Sequence, residues 1–199
     1  MSLRALVPLL LLVFAPGCVP TPEPVGDIDA KPDERLIGTW TEGGSTFVID
    51  RSPVKGHPKG LLRMRVWDNG KDTAKDAPNE TDWLFTAVVG KHTYGNMLIE
   101  ADAKNTNPDL GAEGAYEKWL KSAKKGYFVG LLTFDGDTAT LDGGSAKAFE
   151  ALMEKEKIQK RGDFHAIPAG WLAKHLEKNG PDALFTGKDG TKYTRVKTK

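Results

Sequence analysis

The chain has 199 residues, with 28 lysines and arginines against 27 aspartates and glutamates, for a formal net charge of +1. So close a balance leaves no basic excess to attract nucleic acid or anionic lipid, and no acidic excess either. The single cysteine, Cys18, excludes internal disulfides, thiolate metal centres and redox dithiol pairs.

The first eighteen residues read MSLRALVPLLLLVFAPGC. One positive charge at Arg4, an apolar run from Ala5 to Ala15 and small residues ahead of Cys18 form the layout of a secretion signal. The run is too short to cross a bilayer permanently. Ala15-Pro16-Gly17-Cys18 resembles the lipobox of bacterial lipoproteins, although Phe14 and Ala15 stand where leucine is usual and Pro16 precedes the glycine. The resemblance implies removal of residues 1–17 and lipidation of Cys18, which gives the lone thiol a use. The competing reading is an ordinary secretion signal with an incidental cysteine. Val19, rather than aspartate, follows the cysteine. In enterobacterial lipoproteins this resembles the pattern exported to the outer membrane, so the expected location is the cell envelope, facing the periplasm. The expected partner is the membrane itself, reached through acyl chains worth ~0.8 kcal/mol per buried methylene.

From Val19 to Glu34 there are four prolines and few large apolar side chains. That composition predicts an extended, partly stiff tether over 18–34. One folded domain is then expected over 35–199, long enough for a core without disulfides.

Within the domain the pattern is of short strands. Leu36–Thr41 and Ser45–Asp50 flank Glu42-Gly43-Gly44 and read as a hairpin. Leu62, Met64 and Val66 alternate with Arg63 and Arg65, giving a strand with one dry and one wet face that ends at Asn69-Gly70. Trp83–Val89 and Tyr94–Glu100 pair around Gly90-Lys91-His92, and Tyr127–Phe134 turns through Asp135-Gly136-Asp137 into Thr138–Leu141. Ala183–Thr186 and Lys192–Val196 around Lys188-Asp189-Gly190 read as a closing hairpin.

A helical insertion over about 145–179 precedes that hairpin. Ser145 is placed to cap a helix running toward Arg161, with Phe149, Leu152 and Met153 on its apolar face and Gly162 beyond its end. Pro168 can open a second helix carrying Trp171, Leu172, His175 and Leu176 and stopped by Asn179-Gly180. A shorter helix is expected between Gly111 and Ser122. Each apolar stripe needs covering, so the helices are expected as lids on a sheet.

The fold class is therefore mainly β with some helix: an antiparallel up-and-down barrel or a strongly curled meander. Gly38-Thr39-Trp40 resembles the Gly-x-Trp signature of lipocalins, and Arg195 falls where such folds often place an arginine over that tryptophan. The resemblance implies that Trp40 plugs one end of a lipocalin-like barrel beneath the Arg195 guanidinium. The inserted helices depart from the usual lipocalin layout.

No reaction is legible. The histidines, at 57, 92, 165 and 175, lack one-turn helical spacing, so loop or packing roles are expected over metal ligation. Asp135, Asp137 and Asp142 do not follow the twelve-residue calcium loop, and Asp-Gly-Asp-Thr reads as a turn. The serines at 45, 52, 122 and 145 lack the nucleophile elbow, and glycines 126, 130 and 136 punctuate strands rather than cradle phosphate. The sequon at Asn79-Glu80-Thr81 has no meaning beside a bacterial lipobox. Glu154 to Arg161, mixed in sign, reads as a solvated helix face. No catalytic residue, metal site or cofactor is assigned. Of the five tryptophans, Trp67 beside Arg65 and Asp68 is the candidate for touching a ligand or partner, although core packing is the commoner role. The expected function is a membrane-anchored, non-catalytic module for a small apolar ligand, since an eight-stranded barrel can hold one. The alternative is an envelope scaffold or partner-binding subunit with a filled barrel, and a hydrolase ranks third.

Overall fold

The computed structural model describes residues 20–101, 106–158, 160, 161, 164, 165, 167, 168, 170–186 and 190–197. Cys18, Gly162, Lys188 and Asp189 lie outside them, as do the side chains of Lys160, Arg161 and His165. A two-residue strand β1 (Pro20–Thr21) precedes a 3-10 turn at Glu34–Leu36. Then come β2 (Gly38–Glu42), β3 (Ser45–Arg51), β4 (Leu62–Trp67), β5 (Glu80–Val89) and β6 (His92–Glu100). Helix α1 (Ala115–Leu120) leads to β7 (Lys125–Asp135) and β8 (Thr138–Asp142). Helix α2 (Ala146–Lys155), a ribbon of β9 (Lys160–Arg161) and β10 (Phe164–His165), helix α3 (Trp171–Asn179) and β11 (Thr191–Arg195) complete the chain.

Strands β2 to β8 follow one another antiparallel, and β11 fits between β8 and β2 while β8 also pairs with β7. The eight strands thus close into a lipocalin-like barrel, with β1 added along the outer part of β7. The β2–β3 turn shows why the hairpins form where glycines fall. Gly43 and Gly44 have φ of 55° and 89°, the left-handed pair that a two-residue hairpin turn requires.

Alternation then divides the side chains between two cores. Trp40, Phe47, Met64, Leu84, Met97 and Phe128 point inward and pack on one another. Trp83, Phe85, Tyr94, Leu98, Tyr127 and Val129 point outward from β5 to β7 and are equally buried, because helices and the N-terminal segment cover them. Strands β3 and β4 keep a wet outer face instead, on which Arg63 and Arg65 both donate to Asp50, at 2.9 and 2.6 Å.

The segment expected to be a tether is part of the fold from Pro20 onward. Pro20 and Thr21 pair with Phe128 and Tyr127 of β7. Val25 is fully buried, its N–H donates to Asn96 Oδ1 at 2.7 Å, and Asn96 Nδ2 donates back to the Val25 carbonyl at 3.0 Å. Farther along, the Asp33 N–H donates to Thr86 Oγ1 at 2.6 Å before the 3-10 turn passes under the barrel. Composition suggested disorder because it counts side chains; this strap is held largely by its backbone, through hydrogen bonds that composition does not reveal.

Two other expectations change. Ala183–Thr186 is not a strand: Leu184 and Phe185 donate to the Pro181 carbonyl in a turn, and their side chains are buried in the outer core. Apolar content without a ladder partner is a wrapped turn, so the barrel is closed by β11 alone. Helix α2 does start at the Ser145 cap, whose Oγ accepts from the Ala148 N–H, but it ends at Lys155. Lys157 takes a φ of 58° there, and the Ile158 N–H closes onto the Met153 carbonyl at 2.8 Å. A left-handed non-glycine residue ends this helix, a stop no glycine or proline announces.

Asn96→Ala removes both strap hydrogen bonds and leaves the Val25 amide buried without a partner. Chemical denaturation is expected to show a loss of roughly 1–3 kcal/mol, with faster proteolysis between residues 22 and 34 than in the parent.

Candidate functional site

The closed end of the barrel is built by three residues that the sequence singled out. Arg195 and Trp40 are register partners on β11 and β2, and the guanidinium carbon lies 4.3 Å from the centre of the indole, which is 1% exposed. Arg195 Nη1 donates to the Ile37 carbonyl at 3.0 Å, Nη2 donates to the Arg35 carbonyl, and Trp40 Nε1 donates to the Leu36 carbonyl at 2.8 Å. Gly38 has a φ of +145°, and a Cβ there would come within 2.6 Å of Arg195 Nη1. Only glycine leaves the guanidinium its place.

Above this plug lies a cavity of about 60 Å³, walled by apolar side chains that include Leu36, Phe47, Met64, Leu84, Met97 and Leu132. Its room comes from a cross-strand pair: Gly95 on β6 faces Gly130 on β7, and neither adds a side chain. Leu132 and Leu141 lean into the space, since a Cβ on Gly95 would meet Leu132 Cδ1 at 3.1 Å and one on Gly130 would meet Leu141 Cδ1 at 2.5 Å. A dry cavity of this kind takes apolar atoms rather than water.

The opposite end of the barrel carries the long connections, and there the interior becomes acidic. Glu80, Asp82 and Leu84 share the inward face of β5, and their register partners on β4 are the inward Val66, Met64 and Leu62. Asp82 is 1% exposed and its Oδ1 has no hydrogen-bond partner. Asn107, on the connection after β6, donates from Nδ2 to Glu80 Oε1 at 2.8 Å. Burial, reinforced by the Glu80 charge, pushes the Asp82 carboxyl up to about 8, while Asn107 opposes the shift. Burial also raises Glu80, with Asp68 adding to it and the Asn107 hydrogen bond opposing. Sequence reasoning passed over these residues. The available signal was Glu-x-Asp-x-Leu, which places two acids in register with an apolar inward position.

Outside the barrel, the structure brings together Ser52 and His57, with Oγ 2.7 Å from Nδ1. The geometry suits a loop staple better than a nucleophile. Ser52 Oγ also accepts from the Val54 N–H at 3.2 Å, and the ring packs edge-on against Trp83 at 5.3 Å. Burial lowers the His57 pKa despite the nearby Glu117 and so favours the neutral ring. His175 on α3 stacks on Trp171 at 5.5 Å, and its Nδ1 lies 3.1 Å from Asn179 Nδ2 and 3.3 Å from Glu156 Oε1. Glu156 also accepts from Trp171 Nε1, so one residue of the run read as a solvated face, exposed over 154–157, also ties α2 to α3.

The remaining candidates are dispersed. Asp137 pairs with Lys197 at 2.8 Å, whereas Asp142 Oδ1 accepts from the Gly144 N–H at 2.8 Å. Among the described residues no three His, Cys, Asp or Glu side chains converge on a metal position. Trp67, expected to stand partly exposed, is 2% exposed. Its Nε1 donates to the Asp76 carbonyl at 2.9 Å, and Arg65 covers the ring at 5.4 Å. The connection between β4 and β5 folds back over it, so this tryptophan is an anchor for that loop and not a contact surface. No protein-family model matches the chain, and no curated protein or solved structure does.

The raised Asp82 carboxyl fixes the sign of a pH effect. Below 3.8, its ordinary value, the group is neutral in both folded and unfolded chains; between 3.8 and about 8 only the unfolded chain ionises it. Its contribution to stability therefore falls as pH rises through that window and levels off above it. Asp82→Asn abolishes that fall, so denaturation at pH 8.5 is expected to find the variant more stable than the parent by roughly 1–3 kcal/mol, with the difference shrinking toward pH 4.

Proposed function

We propose that this protein is a lipid-anchored component of a bacterial cell envelope whose barrel is a non-catalytic binding module for a small apolar ligand. The observation that carries the binding half is the dry cavity of about 60 Å³ above the Trp40 plug. Two methionines line it, and unbranched thioether side chains can shift rotamer to admit a guest larger than the resting space. The facing glycines of β6 and β7 leave room for Leu132 and Leu141, which line the cavity. For the anchoring half, the support is the signal-like sequence ending at Cys18 and the absence of any other use for that thiol.

The strap gives this reading a geometric consequence. Cys18 precedes the paired Pro20 by only two residues, a reach of about 7 Å at the length of an extended chain. A lipid on Cys18 holds the barrel wall at the bilayer surface, with no free spacer between them.

One observation favours the second reading. Ligand pockets usually measure ~300–1,000 Å³, so a space of about 60 Å³ describes a barrel largely filled by its own side chains. A filled barrel acts as a rigid scaffold and offers its outer wall to an envelope partner.

Xenon is a suitable probe because it occupies small dry cavities without needing polar contacts. Under xenon pressure the methyl resonances of Met64 and Met97 are expected to shift saturably, and Gly95→Ala is expected to weaken the response at least severalfold. Methyl groups that stay unmoved transfer support to the scaffold reading. The anchor is checked separately: Cys18→Ser is expected to release the protein from envelope membranes, and an equal distribution of variant and parent refutes lipidation at that residue.

A further inference from the structure

The cavity and the acidic rim lie on one continuous inner surface. Asp82 precedes Leu84 by one inward step along β5 and faces Met64 across the ladder, and both Leu84 and Met64 line the cavity. We propose that the unpartnered Asp82 carboxyl, with Glu80 beside it, and the apolar cavity form one amphipathic site for a small primary amine carrying a short apolar tail. This deepens the reading of the barrel as an apolar-ligand module and rests on it.

The complementarity is one of donors and acceptors. Two carboxyl groups supply acceptor oxygens: Asn107 donates to Glu80 Oε1 and also favours the charged form of Asp82, while Asp82 Oδ1 is buried without a partner. A buried acceptor left unpaired costs free energy, and an ammonium group brings three donors and the opposite charge. No lysine or arginine among the described residues forms an ion pair with Glu80 or Asp82. An alcohol of the same length offers a single donor and no charge, and a carboxylate brings a charge of the same sign as the one either acid acquires on ionising, whereas an ammonium favours that ionisation. The cavity sets the tail: about 60 Å³ admits a few carbons, more only if Met64 or Met97 moves. The same arrangement explains why the rim acids face inward, where an ordinary solvated pair would face out.

The test is a titration of the full chain with n-butylamine, n-butanol and n-butyrate at pH 7, following the methyl resonances of Met64 and Met97 and the backbone amides of Glu80 and Asp82. The amine is expected to move both groups of signals together, with an affinity at least tenfold above that of the alcohol and with butyrate weaker still. Asp82→Asn, which keeps the side chain's shape and is expected to fold stably, should bring amine and alcohol to within twofold of each other. Glu80→Gln should reduce the preference only in part. Equal affinities of amine and alcohol for the parent chain overturn the proposal while leaving the apolar cavity reading intact. Movement of the rim amides without the methionine methyls overturns it as well, because the two parts then do not form one site. Failure of all three compounds to move the methionine methyls removes both this inference and the apolar-ligand reading beneath it.

Discussion

Closing the sheet is the constraint on which the remaining structure depends, and one cross-strand pair enforces it. Strand β11 has five residues and must bond to β8 on one side and β2 on the other. Arg195 opposite Trp40 locks its end: the guanidinium covers the indole and reaches back to the carbonyls of Arg35 and Ile37. The cation–π contact alone is worth ~0.5–2 kcal/mol, and the hydrogen bonds tie the last strand to the segment that enters the first. Without that tie, β2 and β8 become open edges and the inner face loses its floor. The size of the cavity is thus set from below by a residue far along the chain.

The second organising fact is that β5 to β7 are buried on both faces. A strand of a solvated sheet alternates, as β4 does with its arginines outward; a strand covered on both sides does not. Phe85 and Leu84, or Tyr127 and Phe128, are neighbours on opposite faces and all nearly inaccessible. The outer cover comes from two sources, the helices after β6 and β8 and the N-terminal strap. Pro20 is tolerated in that strap because β1 lies at the margin of the sheet, where a missing N–H breaks no interior ladder. Glu23 then accepts from the Gly170 N–H at 2.7 Å, so the strap joins the start of α3 to the barrel wall. A proline-rich leader and a helical insertion more than a hundred residues later belong to one outer layer.

This division explains what could be read in advance. Hairpins with glycine turns and the alternating strand Leu62–Val66 were legible, because local chemistry and one wet face leave a period-two pattern. The Gly38, Trp40 and Arg195 device was legible as a three-residue signature, and its geometry follows from the missing Cβ. The strap was not, since its stability comes from Asn96 and Thr86, residues at sequence distances of 71 and 53. Neither was the fate of Ala183–Thr186, whose apolar residues fill the space under α2 without pairing. Trp67 takes the commoner core role rather than the contact its charged neighbours suggested: the Arg65 guanidinium lies 5.4 Å from the ring centre and the Asp76 carbonyl accepts from its N–H. Asp82 was invisible to motif reasoning because its importance lies in what surrounds it, not in its spacing from other polar residues.

The interior therefore contains two departures from a stability optimum, and they are adjacent. A void of about 60 Å³ costs roughly 1–2 kcal/mol at ~24 cal/mol per Å³ of cavity. An inward aspartate with an unpaired oxygen adds a desolvation cost of similar or larger size. Four other buried side-chain atoms also lack a partner, His57 Nε2, Arg65 Nε, the Tyr94 hydroxyl and His175 Nε2, but they lie outside the barrel, and Asp82 Oδ1 is the inward one among the described residues. An apolar residue at position 82 removes the second cost, whereas at 95 and 130 even a Cβ would press on Leu132 and Leu141. Two local rules broken side by side on the inner face of the barrel are a physical mark of a site. That places the centre of interest inside the barrel, between the methionines and the acidic rim, rather than on the wet wall of β3 and β4.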